Sequence, residues 1–250
     1  MLYERDTWVN ENILSLFNKE IYEYDIRSAG INLVIKYKLL PDHIQKKLLA
    51  MEKDTRNTKI GLMERDDKEF AKKLSDAFKD IRKMFFESNG LTVNDIVSIK
   101  KDAIFVTRKC VFTIFDNVEF RIKNTYTSYI RLKKIEFYYS HEKMDIKGIN
   151  KVELQYHTDY LIHFITTYFQ KMEYGDKGEV LMFLNRFLMR YKKRELDVEY
   201  YKEFKPGGVF KLASEDKKTV YTDFPEERKD ELDIYYNLKN VVIPIILITV

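Results

Sequence analysis

The sequence predicts an α+β protein in which helices back an antiparallel sheet, with a helical insertion and a helical C-terminal subdomain. Three observations support this fold class. A short β-rich segment, Ile21 to Ile26, is followed up to Asn89 by segments whose apolar residues recur every three or four positions. Short β-rich segments then follow one another from Asp95 to Tyr139. Helical periodicity returns after Asp159.

Composition narrows the class of protein. About a third of the 250 residues are charged (34%) and the net charge is +4, so an anionic partner must be met by a local basic patch. The single cysteine, Cys110, excludes an intramolecular disulfide and favours a reducing compartment. The longest apolar run, Val241 to Val250, is shorter than the ~20 residues of a spanning helix. We therefore expect no membrane association and a cytoplasmic location, in the host cytoplasm if the protein is viral.

The first segments alternate between helix and strand. Apolar residues near one helical face predict an amphipathic helix from Asp6 to Glu20. In the predicted strand Ile21 to Ile26, Glu23 and Asp25 share one face, because alternate residues of a strand point the same way. Asp25 lies near the end of this strand. Helical patterns follow from Ala29 to Leu40 and from His43 to Lys53.

The remaining segments complete the predicted sheet and the C-terminal subdomain. A longer helix is expected from Asp66 to Asn89, where Asn89-Gly90 supplies a stop. Two β-rich stretches flank Lys100-Lys101-Asp102, which places Asp102 at a hairpin tip. Further predicted elements are strands at Cys110–Phe115, Val118–Ile122, Ser128–Lys134 and Ile135–Tyr139, helices at Asp159–Met172 and Gly178–Lys192, and a closing strand at Val241–Val250.

Two acidic residues in this order are suited to metal-dependent phosphoryl transfer. Transfer from a nucleoside triphosphate uses two divalent metals about 3.5 to 4 Å apart, held by carboxylates. Asp25 at a strand end and Asp102 on a later hairpin would supply those carboxylates if the two strands are neighbours. Either aspartate taken singly would be an ordinary turn residue.

The segments around these aspartates resemble motifs of palm-type polymerases, most nearly the family B DNA polymerases. Tyr24 to Gly30 is similar to the first family motif, Asp-x-x-Ser-Leu-Tyr, with Asp25 and Ser28 matching. Lys53 to Gly61 is similar to the second motif, Lys-x-x-x-Asn-Ser-x-Tyr-Gly, with Asn57 matching. The resemblance implies that Lys53 binds the incoming triphosphate, with Arg56, Asn57 and Lys59 beside it.

Two later segments extend the resemblance. Ser98 to Ala103 is similar to the third motif, Tyr-Gly-Asp-Thr-Asp-Ser, with Asp102 at the second acid and Lys100 in place of the first. Lys133-Lys134-Ile-Glu-Phe-Tyr138 and Ile146-Lys147-Gly148-Ile149 resemble the family elements that bind the primer-template duplex. Lysines there would bind phosphates without reading sequence. The resemblance adds Arg186 and Arg190, on a following helix, as further phosphate contacts.

The resemblance implies a minimal DNA polymerase of phage or mobile-element origin, with Mg²⁺ or Mn²⁺ as cofactor. Its palm would span residues 1–158, with short fingers at about 31–92 and a thumb-like subdomain at 159–250. Expected partners are a primer-template, nucleoside triphosphates and replisome proteins. Gly30 lies where a bulky residue would exclude a ribose 2′-hydroxyl, so ribonucleotides would be tolerated and a primase-like activity fits. The alternatives are a catalytically inactive palm-like nucleic-acid-binding replication accessory or virion protein, and more distantly a nuclease.

Overall fold

A computed structural model describes residues 1–141, 143–205, 207–215 and 219–250. The fold is α+β, with antiparallel sheets and nine α-helices among these residues. The chain divides into two compact units. The first unit comprises Met1–Asn12 with Glu20–Thr125, and the second comprises Ile13–Lys19 with Tyr126–Val250.

Ten strands are present in the described part of the chain. They are β1 (Thr7–Val9), β2 (Ser15–Leu16), β3 (Ile21–Ile26), β4 (Ile96–Lys100), β5 (Ala103–Val106), β6 (Ile114–Phe115), β7 (Val118–Tyr126), β8 (Ser128–Leu132), β9 (Ile135–Ser140) and β10 (Lys143–Lys147). The helices are α1 (Ala29–Lys36), α2 (Asp42–Leu49), α3 (Lys53–Asp66), α4 (Lys68–Asn89), α5 (Lys151–Leu154), α6 (His163–Tyr174), α7 (Lys177–Lys192), α8 (Tyr235–Asn237) and α9 (Ile243–Thr249).

The first unit is a six-stranded sheet with helices α1 to α4 packed against it. Its strand order is β1, β4, β5, β3, β7, β6. The longest helix, α4, begins at Asp67, whose side chain accepts hydrogen bonds from the N–H groups of Glu69 and Phe70. It ends at Gly90, which has a φ of +57°. One face of α4, including Phe78 and Phe85, is buried in a cluster with apolar residues of the sheet.

The second unit is built around a four-stranded sheet in the order β10, β9, β8, β2. Helices α6, α7 and α9 bury their apolar faces in a cluster with strand residues such as Ile130 and Phe137. The domain boundary expected after residue 158 therefore falls inside this unit, because β8, β9 and β10 pack with the C-terminal helices.

The helix predicted from Asp6 to Glu20 is wrong, since this segment forms β1 and β2 instead. The side chain of Asn10 donates to the carbonyl oxygens of Val93 and Ile96, which fixes the chain immediately after β1. The apolar residues of the segment pack in two different cores. Trp8 packs in the core of the first unit, whereas Phe17 packs in the core of the second.

The closing strand predicted at Val241–Val250 is also wrong, because this segment is helical. A π-helical turn at Leu238–Val242 leads into α9, and Pro244 lies in the first turn of that helix. Proline is accepted there because the first N–H groups of a helix have no intrahelical partner. Burial of one face, including Ile245, outweighs the β-propensity of the sequence. Among the described residues, no helix combines the length and the apolar character needed to cross a membrane.

Candidate active site

Two aspartates from distant parts of the chain meet at one end of the first sheet. Asp25 is the antiparallel partner of Ala103, the first residue of β5. The N–H of Ile26 donates to the carbonyl oxygen of Asp102 over 3.0 Å. Both aspartates line one cleft of about 460 Å³ within the first unit. The structure thus brings together the two carboxylates that a shared metal site would require.

The two aspartates differ in exposure and in their electrostatic surroundings. Asp102, at the hairpin tip, remains exposed as a residue. Partial desolvation of its carboxyl raises the pKa of Asp102, and the nearby charge of Asp25 raises it further. An intraresidue hydrogen bond to the backbone, together with the charges of Lys123 and Lys101, lowers the same pKa without cancelling the rise. The Asp25 side chain is only 13% exposed and lies 3.4 Å from Arg121.

The hairpin that presents Asp102 is held by a buried arginine. The Arg82 side chain is fully buried, and its guanidinium donates to the carbonyl oxygens of Tyr3 and Lys101 at 3.0 and 2.8 Å. A third bond, of 2.9 Å, goes to Asp6 Oδ1. Lys101 adopts a left-handed conformation with a φ of 45°, which is uncommon for a residue other than glycine. Arg82 therefore fixes the backbone immediately before Asp102.

Helix α3 forms the opposite wall of the cleft. Lys53, Asn57 and Glu64 all line the cleft, because spacings of four and seven residues return to the same helical face. Glu64 forms an ion pair of 2.6 Å with Lys101 of the β4–β5 turn. Helix α3 and the hairpin that presents Asp102 are thereby connected through their side chains.

Two of the basic residues expected beside Lys53 do not lie in this cleft. Lys59 lines a separate groove on the other side of α3, together with Thr55 and Leu62. Six residues from Lys53 correspond to about 600° of helical rotation, which places Lys59 about 120° around the helix from Lys53 and on a different face. Arg56 lies on a flank of the helix and is not among the residues that line the cleft. The structure therefore does not place Arg56 and Lys59 in the cleft that Lys53 lines.

Ser28 and Gly30 line the cleft at the start of α1. Ser28 has a φ of 47° and makes no side-chain cap hydrogen bond. A Cβ atom added at Gly30 would lie 3.3 Å from both Cδ1 and Cγ2 of Ile60. The expectation that Gly30 leaves open space needs correction, since the side chain of Ile60 from α3 bounds that space.

Strand β7 contributes two cleft residues that were not predicted, Arg121 and Lys123. They belong to a series of ion pairs that β7 makes with β3 and with Arg27, the residue after β3. The pairs are Arg27–Glu119, Asp25–Arg121 and Glu23–Lys123, at 3.2, 3.4 and 3.7 Å. Alternate residues of a strand share a face, so the spacing of 119, 121 and 123 was a usable signal. The pairing of β7 with β3 had no local signal.

The lysines expected to bind duplex nucleic acid lie in the second unit. Lys133 and Lys134 form the turn between β8 and β9, and Lys147 ends β10. A Cβ at Gly148 would lie 2.1 Å from the carbonyl oxygen of Lys134, so the two basic segments touch through their backbones. The Lys133 ammonium lies 5.3 Å from the centre of the Tyr236 ring.

The two arginines predicted as phosphate contacts, Arg186 and Arg190, are exposed on α7 of the same unit. Arg190 donates to the carbonyl oxygen of Glu195 over 3.3 Å. Their exposure is compatible with an anionic ligand and equally with a solvated helix face.

A comparison with protein families gives one match over the whole chain. Residues 1–250 match the family described as Bacteriophage PBS1 gene 130 protein. The chain belongs to this family. The description supports the expected phage origin. The curated proteins include no match to the chain.

The donor atoms of the cleft determine whether it can hold a metal ion. Within the described ranges, no group of three or more His, Cys, Asp or Glu residues could hold a metal ion. The cleft supplies two neighbouring carboxylates, from Asp25 and Asp102. Mg²⁺ is commonly held by one or two carboxylates, with water and substrate phosphates completing the shell. The donor set therefore fits a metal site that the substrate completes.

Proposed function

We propose that this phage-family chain is a template-directed nucleotidyl transferase of the DNA polymerase type that uses two-metal-ion catalysis. The observation that carries the proposal is the convergence of Asp25, Asp102, Lys53 and Asn57 on one cleft. These residues come from three separate segments, each of which resembles a polymerase motif. If the resemblance of these segments to the motifs were accidental, residues from all three would not be expected to line the same cleft.

The sheet supports a palm-like arrangement. Strand β3, which carries Asp25, lies between β5 and β7 in the sheet, and β5 follows directly after Asp102. In palm-type polymerases, the acids of the first and third motifs are likewise carried by neighbouring strands. Helix α3 would then correspond to the fingers helix, because its residues Lys53 and Asn57 face the same cleft.

Each group in the cleft has a role in this proposal. Asp25 and Asp102 would hold Mg²⁺ or Mn²⁺, which when bound would activate the attacking hydroxyl and stabilise the leaving pyrophosphate. The Lys53 ammonium would bind the triphosphate, and the Asn57 amide would orient it by hydrogen bonding. Lys133, Lys134 and Lys147 would bind the primer-template backbone in a salt-dependent way.

Primer extension with Mg²⁺ or Mn²⁺ tests the proposal. We expect nucleotide addition by the wild type and its loss in Asp25→Asn and in Asp102→Asn, because both isosteric changes remove a carboxylate ligand. Asp76→Asn is the matched control, since Asp76 is a surface residue of α4 paired with Lys79. Absence of addition by the wild type, or full activity in both cleft variants, would refute the proposal. Cleavage without addition would indicate a nuclease.

The sugar of the substrate can be tested at the contact between Gly30 and Ile60. We propose that ribonucleotides are accepted, because Gly30 has no side chain and Ile60 is the neighbouring group that limits the space. Ile60→Ala should widen the space and increase the ratio of ribonucleotide to deoxyribonucleotide incorporation. Leu62→Ala is the control, since Leu62 lines the groove on the other side of α3. Exclusion of ribonucleotides by the wild type would contradict this part of the proposal.

A second candidate is a catalytically inactive palm-like protein that binds nucleic acid as a replication accessory or virion component. Two observations favour it: Lys100 occupies the position of the first acid of the third motif, and Arg121 is paired with Asp25. This candidate requires nucleic-acid binding that is independent of divalent metal and unchanged by Asp25→Asn. Filter binding with EDTA or Mn²⁺ separates it from the enzyme.

A further inference from the structure

Arg121 contacts one of the two aspartates on which the proposed reaction depends. Its Nη2 atom lies 3.4 Å from Asp25 Oδ2, and its side chain is 47% exposed. A partly exposed ion pair of this length is weak. A divalent cation would need the same carboxylate, so Arg121 and the metal compete for Asp25.

Two other cations of the cleft form ion pairs with different residues. Lys101 is paired with Glu64 at 2.6 Å. Lys123 lies 3.7 Å from Glu23, whose side chain is buried. Arg121 is thus the cleft cation whose described ion pair involves a proposed metal ligand. Its planar guanidinium can bind two phosphate oxygens at once, which a lysine ammonium cannot do in the same geometry.

We propose that Arg121 is a phosphate-binding residue that neutralises Asp25 in the ligand-free chain and exchanges Asp25 for a substrate phosphate when metal and substrate bind. The proposal rests on the proposed function, because it takes Asp25 as a metal ligand. The phosphate belongs either to the nucleoside triphosphate or to the nucleic-acid strand. Arg121 then has two opposite effects: it weakens metal binding to the empty chain and strengthens phosphate binding.

The test measures both effects without turnover, in the full chain. Mn²⁺ binding is measured by electron paramagnetic resonance of the free ion. Binding of deoxyadenosine triphosphate is measured by calorimetry with Ca²⁺, and binding of a DNA duplex with a 5′ overhang by fluorescence anisotropy. The variants are Arg121→Gln and Arg121→Lys. Arg27→Gln is the matched control, because Arg27 forms the neighbouring ion pair with Glu119 and does not line the cleft.

For Arg121→Gln we expect Mn²⁺ to bind more tightly, by up to about fivefold, because a partly exposed ion pair cannot lower the affinity for the metal by more than about this factor. We expect triphosphate or duplex affinity to fall by about tenfold, as for a lost hydrogen bond to a charged group. A fall for the triphosphate alone assigns the phosphate to the nucleotide, and a fall for the duplex alone assigns it to the strand. Arg121→Lys should be intermediate for phosphate, and Arg27→Gln should match the wild type.

The outcomes separate this proposal from the one on which it rests. If Asp25→Asn leaves Mn²⁺ binding unchanged, or the wild type binds no Mn²⁺, the proposed function fails. If Mn²⁺ binding depends on Asp25 but Arg121→Gln neither strengthens it nor weakens phosphate binding, only the role of Arg121 fails. A merely structural arginine would lower all three affinities together, which would also overturn the proposal.

Discussion

Replacing Arg82 by methionine should destabilise the first unit because it removes the support of the β4–β5 turn. Methionine keeps an unbranched apolar side chain but leaves the carbonyl oxygens of Tyr3 and Lys101 without their donor. Each carbonyl oxygen left without a hydrogen-bond donor lowers the free energy of unfolding by about 1–3 kcal/mol. The methionine variant no longer has to bury the charge of Arg82, and this offsets part of that loss. Asp6 is 51% exposed and returns to water. We expect a net loss of about 2–4 kcal/mol in the free energy of unfolding.

Fluorescence of the single tryptophan provides the assay. Trp8 lies in β1, directly opposite Ile99 of β4, so its signal reports unfolding of the unit that contains Arg82. Urea titrations would compare the wild type with Arg82→Met and with Arg65→Met. Arg65 is 69% exposed, and its ion pair among the described residues is with its neighbour Asp66, so its replacement should change stability by less than about 0.5 kcal/mol.

A second measurement tests whether Arg82 also positions Asp102. Mn²⁺ binding should weaken in Arg82→Met under conditions where the variant remains folded, because the turn before Asp102 loses its support. An unfolding free energy within about 0.5 kcal/mol of the wild-type value would refute the structural reasoning. Destabilisation with unchanged Mn²⁺ binding would show that the turn keeps its geometry without the arginine.

Two further predictions concern a glycine and a titration. Gly148→Ala should destabilise the second unit by about 1–3 kcal/mol more than Gly207→Ala in thermal unfolding followed by circular dichroism. Both glycines have positive φ, but only at Gly148 would a Cβ meet backbone, at 2.1 Å, so equal effects would contradict the contact. Protons compete with metal for Asp102, whose pKa is raised, so Mn²⁺ binding should be lost on acidification. Lys123→Gln removes a charge that lowers this pKa and should move the loss to higher pH, whereas an unchanged or lower midpoint would contradict the assignment.

Local sequence pattern was sufficient for the elements that carry the aspartates. The sequence predicts the strand at Ile21–Ile26 with the bounds that the structure gives, and it predicts the hairpin whose turn contains Asp102. Both have β-rich residues beside polar turn residues, which short-range chemistry determines. The helical period also predicts that Lys59 and Lys53 lie on different faces of the helix, because the angle between them follows from their spacing alone.

Long-range contacts account for what the sequence did not reveal. In the sequence, Arg82 is one of several basic residues of a long helix, and nothing local marks it as the partner of a turn carbonyl. Arg121 became a cleft residue only because β7 pairs with β3. The secondary structure predicted for residues 6–20 and 241–250 is wrong for the same reason, since the cores into which these segments pack override their local propensities.

The charges of the cleft indicate what kind of ligand it binds best. Its lining combines three acidic and four basic side chains: Asp25, Glu64 and Asp102, and Lys53, Lys101, Arg121 and Lys123. A divalent cation alone meets repulsion from the four bases, and a triphosphate alone meets repulsion from the three acids. A complex of metal with triphosphate places positive charge beside the carboxylates and negative charge beside the cations. Each component therefore lowers the cost of binding the other, which is positive coupling between the two sites. The affinity for Mn²⁺ should accordingly rise when triphosphate is present, and rise less in Lys53→Gln than in the wild type.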